Sequence, residues 1–128
     1  MFSGFRKIKQ INTFHAIIIL SIIYTEKWLS SNRLSVISVL VKIFRKFIVQ
    51  GMYHCDIHPD SFASLDAIST CRMPHPYLIV VHQTARIQDN AVIFHNVTIG
   101  VIEDGSAPHA AQLGKMYISG SEHVYWVI

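Results

Sequence analysis

Between Val81 and Gly100 the chain repeats itself every six residues, and no other feature limits so tightly what it can fold into. Residues 81–86 (VHQTAR), 87–92 (IQDNAV) and 93–98 (IFHNVT), followed by Ile99 and Gly100, align without a gap. The first position is always β-branched and aliphatic: Val81, Ile87, Ile93, Ile99. The fifth is small or short: Ala85, Ala91, Val97. Ordinary alternating strands would also place apolar residues at 83, 89 and 95. Those positions hold Gln83, Asp89 and His95. A period of six suits a triangular β-helix, in which each side is one short strand. Each hexad then turns one large aliphatic residue inward, and a small residue near the corner lets the chain turn. A coil takes three hexads, and stacked coils bury a continuous aliphatic column.

The first part of the chain follows a different grammar. Residues 14–24 (FHAIIILSIIY) are shorter than the roughly 20 apolar residues a membrane span needs, and they end at Glu26 and Lys27. No small-residue cleavage site follows them in TEKWLSS, so they read as a buried helix rather than a signal peptide. Ser31 and Asn32 offer a cap for a second helix. There Leu34, Ile37, Leu40, Val41, Phe44, Phe47 and Ile48 recur at three- and four-residue spacing. Arg33, Lys42, Arg45 and Lys46 fall largely off that stripe, which is expected to pack on the helix before it. The basic face is expected to be solvated, or to rest on a membrane surface. The expected fold class is therefore α+β. A helical pair in residues 1–50 precedes a left-handed parallel β-helix of hexapeptide repeats in residues 51–128.

Charge divides the chain at the same place. Residues 1–50 carry eight Lys and Arg against Glu26 alone, and residues 51–128 carry three against seven Asp and Glu, giving the net +3. No basic run exceeds two residues, so a nucleic-acid partner is not expected. With 51% hydrophobic and 15% charged residues, the composition is that of a folded domain. Cys55 and Cys71 form no CxxC motif and read as two reduced thiols of a cytoplasmic protein. Peripheral membrane contact through residues 11–48 is a further expectation.

Residues 74–100 (PHPYLIVVHQTARIQDNAVIFHNVTIG) resemble the hexapeptide-repeat acyltransferases, nearest the serine O-acetyltransferase branch and the sugar acetyltransferases of surface-polysaccharide synthesis. Residues 54–59 (HCDIHP) are similar to that family's opening Asp-Ile-His-Pro strand. The resemblance implies a homotrimer with sites between subunits. It implies acetyl-CoA as donor and a small hydroxyl acceptor, L-serine ahead of a sugar, as in cysteine biosynthesis. It also makes His75 the general base and Asp56 the carboxylate that orients it. Asp60 is the alternative: it stands at the family's spacing from His75, fifteen residues before it, whereas Asp56 has the family's local motif. His58, His95 and, on a weaker match, His109 are expected at the substrate or coenzyme.

The chemistry independently asks for such residues. A hydroxyl is a poor nucleophile at neutral pH, and an imidazole can take its proton as the oxygen attacks a thioester. A carboxylate on the other ring nitrogen fixes the tautomer. Eight histidines also invite a metal, and His54, Asp56 and His58 would alternate on one strand face. No second cluster at a ligand spacing completes that site, so no metal is expected. His82, His95 and His123 read as solvent-facing or subunit-interface residues. Residues 113–120 resemble a further rung that is one residue short, and an apolar VYWVI follows. The alternative to an enzyme is thus an inactive, truncated β-helix that serves as an oligomerisation module.

Overall fold

The computed structural model describes residues 1–102 and the short strands at 109–110, 112–113 and 117–118. Three α-helices, not a pair, build the first part: α1 (Phe2–Ile11), α2 (Phe14–Ser31) and α3 (Ser35–Arg45). A fourth, α4 (Leu65–Thr70), lies further along the chain. α2 is apolar almost all round because α1, α3 and α4 all pack against it. Ala16, Ile19, Leu20 and Ile23 are fully buried there. Gly4 of α1 sits under the Tyr24 ring, where a Cβ would fall 2.5 Å from it, so a side chain at this position collides with α2.

Ser31 and Asn32 end α2 instead of opening the next helix. The Asn32 side-chain amide donates to Trp28 O at 2.7 Å. Beyond it, Leu34 N–H reaches back to Leu29 O (3.1 Å) and Arg33 N–H to Ser30 O (3.3 Å), with Arg33 at φ 57°. This is a left-handed helix terminus that satisfies the last carbonyls and turns the chain back. α3 then folds along α2 and widens into a π-helical turn, Lys46–Met52.

The amphipathic helix expected over 32–48 forms, but only part of its apolar stripe, Val41 and Ile48, turns towards the protein. Ile37, Leu40, Phe44 and Phe47 are exposed, and Arg45 is buried. The reason is Glu26 on α2. Arg45 Nε donates to Glu26 Oε2 at 2.6 Å, and Arg45 Nη1 donates to Ile57 O at 3.0 Å. A buried charge is tolerated when it is paired and hydrogen-bonded, and this pair joins α2, the end of α3 and the first strand.

The strands that follow are each two residues long: β1 (Asp56–Ile57), β2 (Val80–Val81), β3 (Arg86–Ile87), β4 (Val92–Ile93) and β5 (Thr98–Ile99). β6 (Val101–Ile102), β7 (His109–Ala110), β8 (Gln112–Leu113) and β9 (Tyr117–Ile118) complete the order. β1, β2 and β5 form one parallel sheet in the register Asp56↔Val80↔Thr98 and Ile57↔Val81↔Ile99. β3 pairs with β8 and β4 with β9, both parallel, whereas β6 and β7 are antiparallel.

The β-helix expected over 51–128 is therefore corrected. Helix dominates the described residues, the largest sheet has three short strands, and no long left-handed β-helix is present among them. The physical reason lies between β1 and β2. There the chain leaves the six-residue period for a 3₁₀ turn, Pro59–Ser61, and for α4. Ser64 starts α4 by accepting Ala67 N–H on its Oγ at 3.0 Å. On the other side an antiparallel pair, β6–β7, interrupts the parallel strands before β8 and β9 resume them. Locally the hexads still behave as residue pairs in and out: Val81, Ile87, Ile93, Ile99, Ala85, Ala91 and Val97 are buried. Gln83, Asp89 and His95 are exposed. Helices and strands share one core, in which Ile8, Leu20 and Ile23 join Ile57, Phe62, Ile68, Ile87 and Ile93.

Candidate functional site

The outward face of the three-stranded sheet carries the chemistry. Along β1, β2 and β5 the side chains of Ile57, Val81 and Ile99 turn inward, while Asp56, Val80 and Thr98 turn out. One residue further on, the same register sets His58 beside His82 and His82 beside Gly100. These residues line an open groove of about 310 Å³, together with Gln83. A Cβ at Gly100 would meet nothing within 4 Å, so glycine leaves that end of the groove open.

Both groove histidines are held in the same way. His58 Nδ1 accepts Asp60 N–H at 3.2 Å. His82 Nδ1 accepts Thr84 N–H at 3.3 Å and lies 2.8 Å from Thr84 Oγ1. A nitrogen that accepts a backbone N–H carries no proton of its own, so each neutral ring keeps its proton on Nε2. That assignment follows from the hydrogen bonds. Two imidazoles, each with its proton on Nε2, thus line the groove together with Asp56. The His82 backbone is fixed too, its N–H on Ile99 O (2.9 Å) and its carbonyl taking Ser61 Oγ–H (3.2 Å).

The residues expected from sequence are distributed unevenly over this surface. Asp56 and His58 line the groove. Asp60 stands 3.9 Å from Lys27 Nζ, its ionic partner among the described residues, and 3.5 Å from His58 Nδ1; His75 is neither. His75 is exposed on the turn that leads into β2, where its carbonyl accepts Tyr77 N–H at 2.9 Å. Its ring meets that of His95 edge-on, with centroids 6.0 Å apart. No hydrogen bond joins His75 to Asp56 or Asp60 among the described residues. His109 falls in β7, and its side chain lies outside the described residues, as do His123 and the apolar VYWVI.

His82 is the groove residue that the sequence reading set aside as solvent-facing or at a subunit interface. It stands 24 residues after His58, whereas a coil of three hexads repeats after eighteen, the interval from Val80 to Thr98. The excursion through the 3₁₀ turn and α4 adds the difference and hides the pairing. The thiols are no part of this site. Cys55 and Cys71 are buried, and burial pushes the Cys55 thiol up and the Cys71 thiol up to about 12, which makes both poor nucleophiles. Among the described residues no group of three His, Cys, Asp or Glu could hold a metal ion. Comparison of the chain with protein-family models, curated proteins and solved structures found no match.

Proposed function

We propose that the chain is an O-acetyltransferase that moves acetyl from acetyl-CoA to a small hydroxyl acceptor, with L-serine the first acceptor and a surface-polysaccharide sugar the second. The observation that carries this reading is the pair of imidazole N–H donors, His58 and His82, beside a carboxylate in an open groove. When a hydroxyl attacks a thioester, negative charge develops on the carbonyl oxygen, and preorganised donors stabilise that charge. The resemblance of residues 74–100 to serine O-acetyltransferases supports the same chemistry.

In this reading the acetyl-thioester end of the coenzyme enters the groove. The resemblance assigns the proton of the acceptor hydroxyl to His75, which stands on the turn before β2 and outside the groove lining, so in this reading it serves the groove of a neighbouring subunit. The acceptor oxygen bonds to the carbonyl carbon, the C–S bond breaks, and the imidazolium returns its proton to the departing thiolate. A homotrimeric assembly belongs to the proposal as well.

Thiol release from acetyl-CoA, followed with and without L-serine, tests it. The proposal expects serine-dependent release that falls roughly a hundredfold or more in His75→Ala and by a similar factor in His82→Ala. Release that survives both substitutions, in variants with unchanged circular dichroism, would sink the mechanism. An absence of release with serine and with sugar acceptors would sink the activity.

A further inference from the structure

The outer face of α3 has no covering among the described residues, and it is more apolar than a solvated helix should be. Val36 is 76% exposed, Leu40 64%, Ile43 60%, Phe44 54% and Phe47 71%. Their spacing sets them on one side of the helix, opposite Arg45, which is buried against α2. Apolar residues ordinarily turn to the core; here the inner side holds the Glu26–Arg45 pair with Val41 and Ile48, and the rest of the apolar stripe is left outside. Contiguous exposed apolar surface of this kind marks an interaction site.

Charge says what the partner is. Lys42 of α3 and Lys46, which opens the π-helical turn four residues on, are exposed, and Arg33 is exposed just before α3. In residues 1–50 the sole acid is Glu26, and it is buried in its own ion pair. This surface therefore presents apolar side chains edged by cations, with no anion of its own segment to answer them. A second copy docking face to face would set Lys42 and Lys46 against their own counterparts. A bilayer of anionic phospholipid would instead take the apolar side chains among its acyl chains and the lysines among its headgroups.

We infer that α3 and the π-helical turn after it dock the protein on an anionic membrane surface, lying in the interface with Leu40, Phe44 and Phe47 inserted. It lies on the membrane and does not cross it. Eleven residues of helix span about 16 Å, against a hydrocarbon core of about 30 Å. Among the described residues no helix is long and apolar enough to cross. Docking is independent of whether the groove transfers acetyl.

Sedimentation of the full chain with vesicles tests this, using phosphatidylcholine alone and phosphatidylcholine mixed with phosphatidylglycerol. The expected result is binding to the anionic vesicles that weakens at high salt, and little binding to the neutral ones. The Lys42→Glu, Lys46→Glu double variant should bind roughly tenfold more weakly or worse, as should Leu40→Ser, Phe44→Ser. All four positions are exposed, so circular dichroism should stay unchanged. No binding to the anionic vesicles overturns the inference, as does binding that both double variants retain. So does an oligomer in solution that Leu40→Ser, Phe44→Ser dissolves while the wild-type chain ignores vesicles, since the face would then serve a second copy.

Discussion

Leu78 is held in a conformation that its side chain resists. It lies two residues ahead of β2 at φ 54°, where His54 (52°) and Asn96 (55°) occupy the equivalent places before β1 and β5. Asn suits the left-handed region because its short polar side chain can bond locally, whereas other L-residues are penalised there by about 1–2 kcal/mol. Leu78 is also 55% exposed, so little burial offsets the strain. Leu78→Asn is expected to stabilise the protein by about 0.5–1 kcal/mol, read as a higher denaturant midpoint at constant slope. A lower midpoint would show that the Leu78 side chain makes a contact worth more than its strain. Positions 78, 90 and 96 share one place in the six-residue period and all have positive φ, whereas Thr84, at the same place, does not. The period did not warn that a leucine would occupy one of these left-handed corners.

At the level of elements, the Glu26–Arg45 pair decides how α3 is turned and ties it to β1 through Ile57 O. Breaking such a pair from one side leaves a buried charge without its counterion. Glu26→Ala is therefore expected to cost about 3–5 kcal/mol, measured by denaturant unfolding. Glu26→Leu combined with Arg45→Met should cost clearly less, because both charges go together. A double variant as unstable as the single one would mean that the pair's other contacts, and not its charges, hold the helix. Here the sequence was legible only in part. The three- and four-residue spacing from Leu34 to Ile48 reveals a helix with an apolar stripe. It cannot reveal which side faces the protein, since that depends on a glutamate nineteen residues away. α1 and α4 went unread for similar reasons: α1 is short and rich in Lys and Arg, and α4 has only six residues behind its Ser64 cap.

For the molecule as a whole, the period of six told truly which side chains turn inward, because burial within a hexad is a local matter. It misled about architecture, because a β-helix needs the period to continue through every side of every coil. Residues 59–70 break it with helix, and that helix packs against α1 and α2 to extend a single core. The site was legible to the same extent. Asp56 and His58 stood out from their motif, but their neighbour His82 depends on a 24-residue register that only the folded chain supplies. The two proposals rest on two surfaces, a basic apolar helix face and a groove of histidines on the parallel sheet. The claim that the groove receives acetyl-CoA is tested most directly by calorimetric titration of the coenzyme into the full chain and into Gly100→Trp. Among the described residues nothing lies within 4 Å of a Cβ at Gly100, so the indole has room to enter the groove beside them. Saturable heat with the wild-type chain, lost in a Gly100→Trp protein of unchanged circular dichroism, is the predicted result. No heat with the wild-type chain, or equal heat with both, would contradict it.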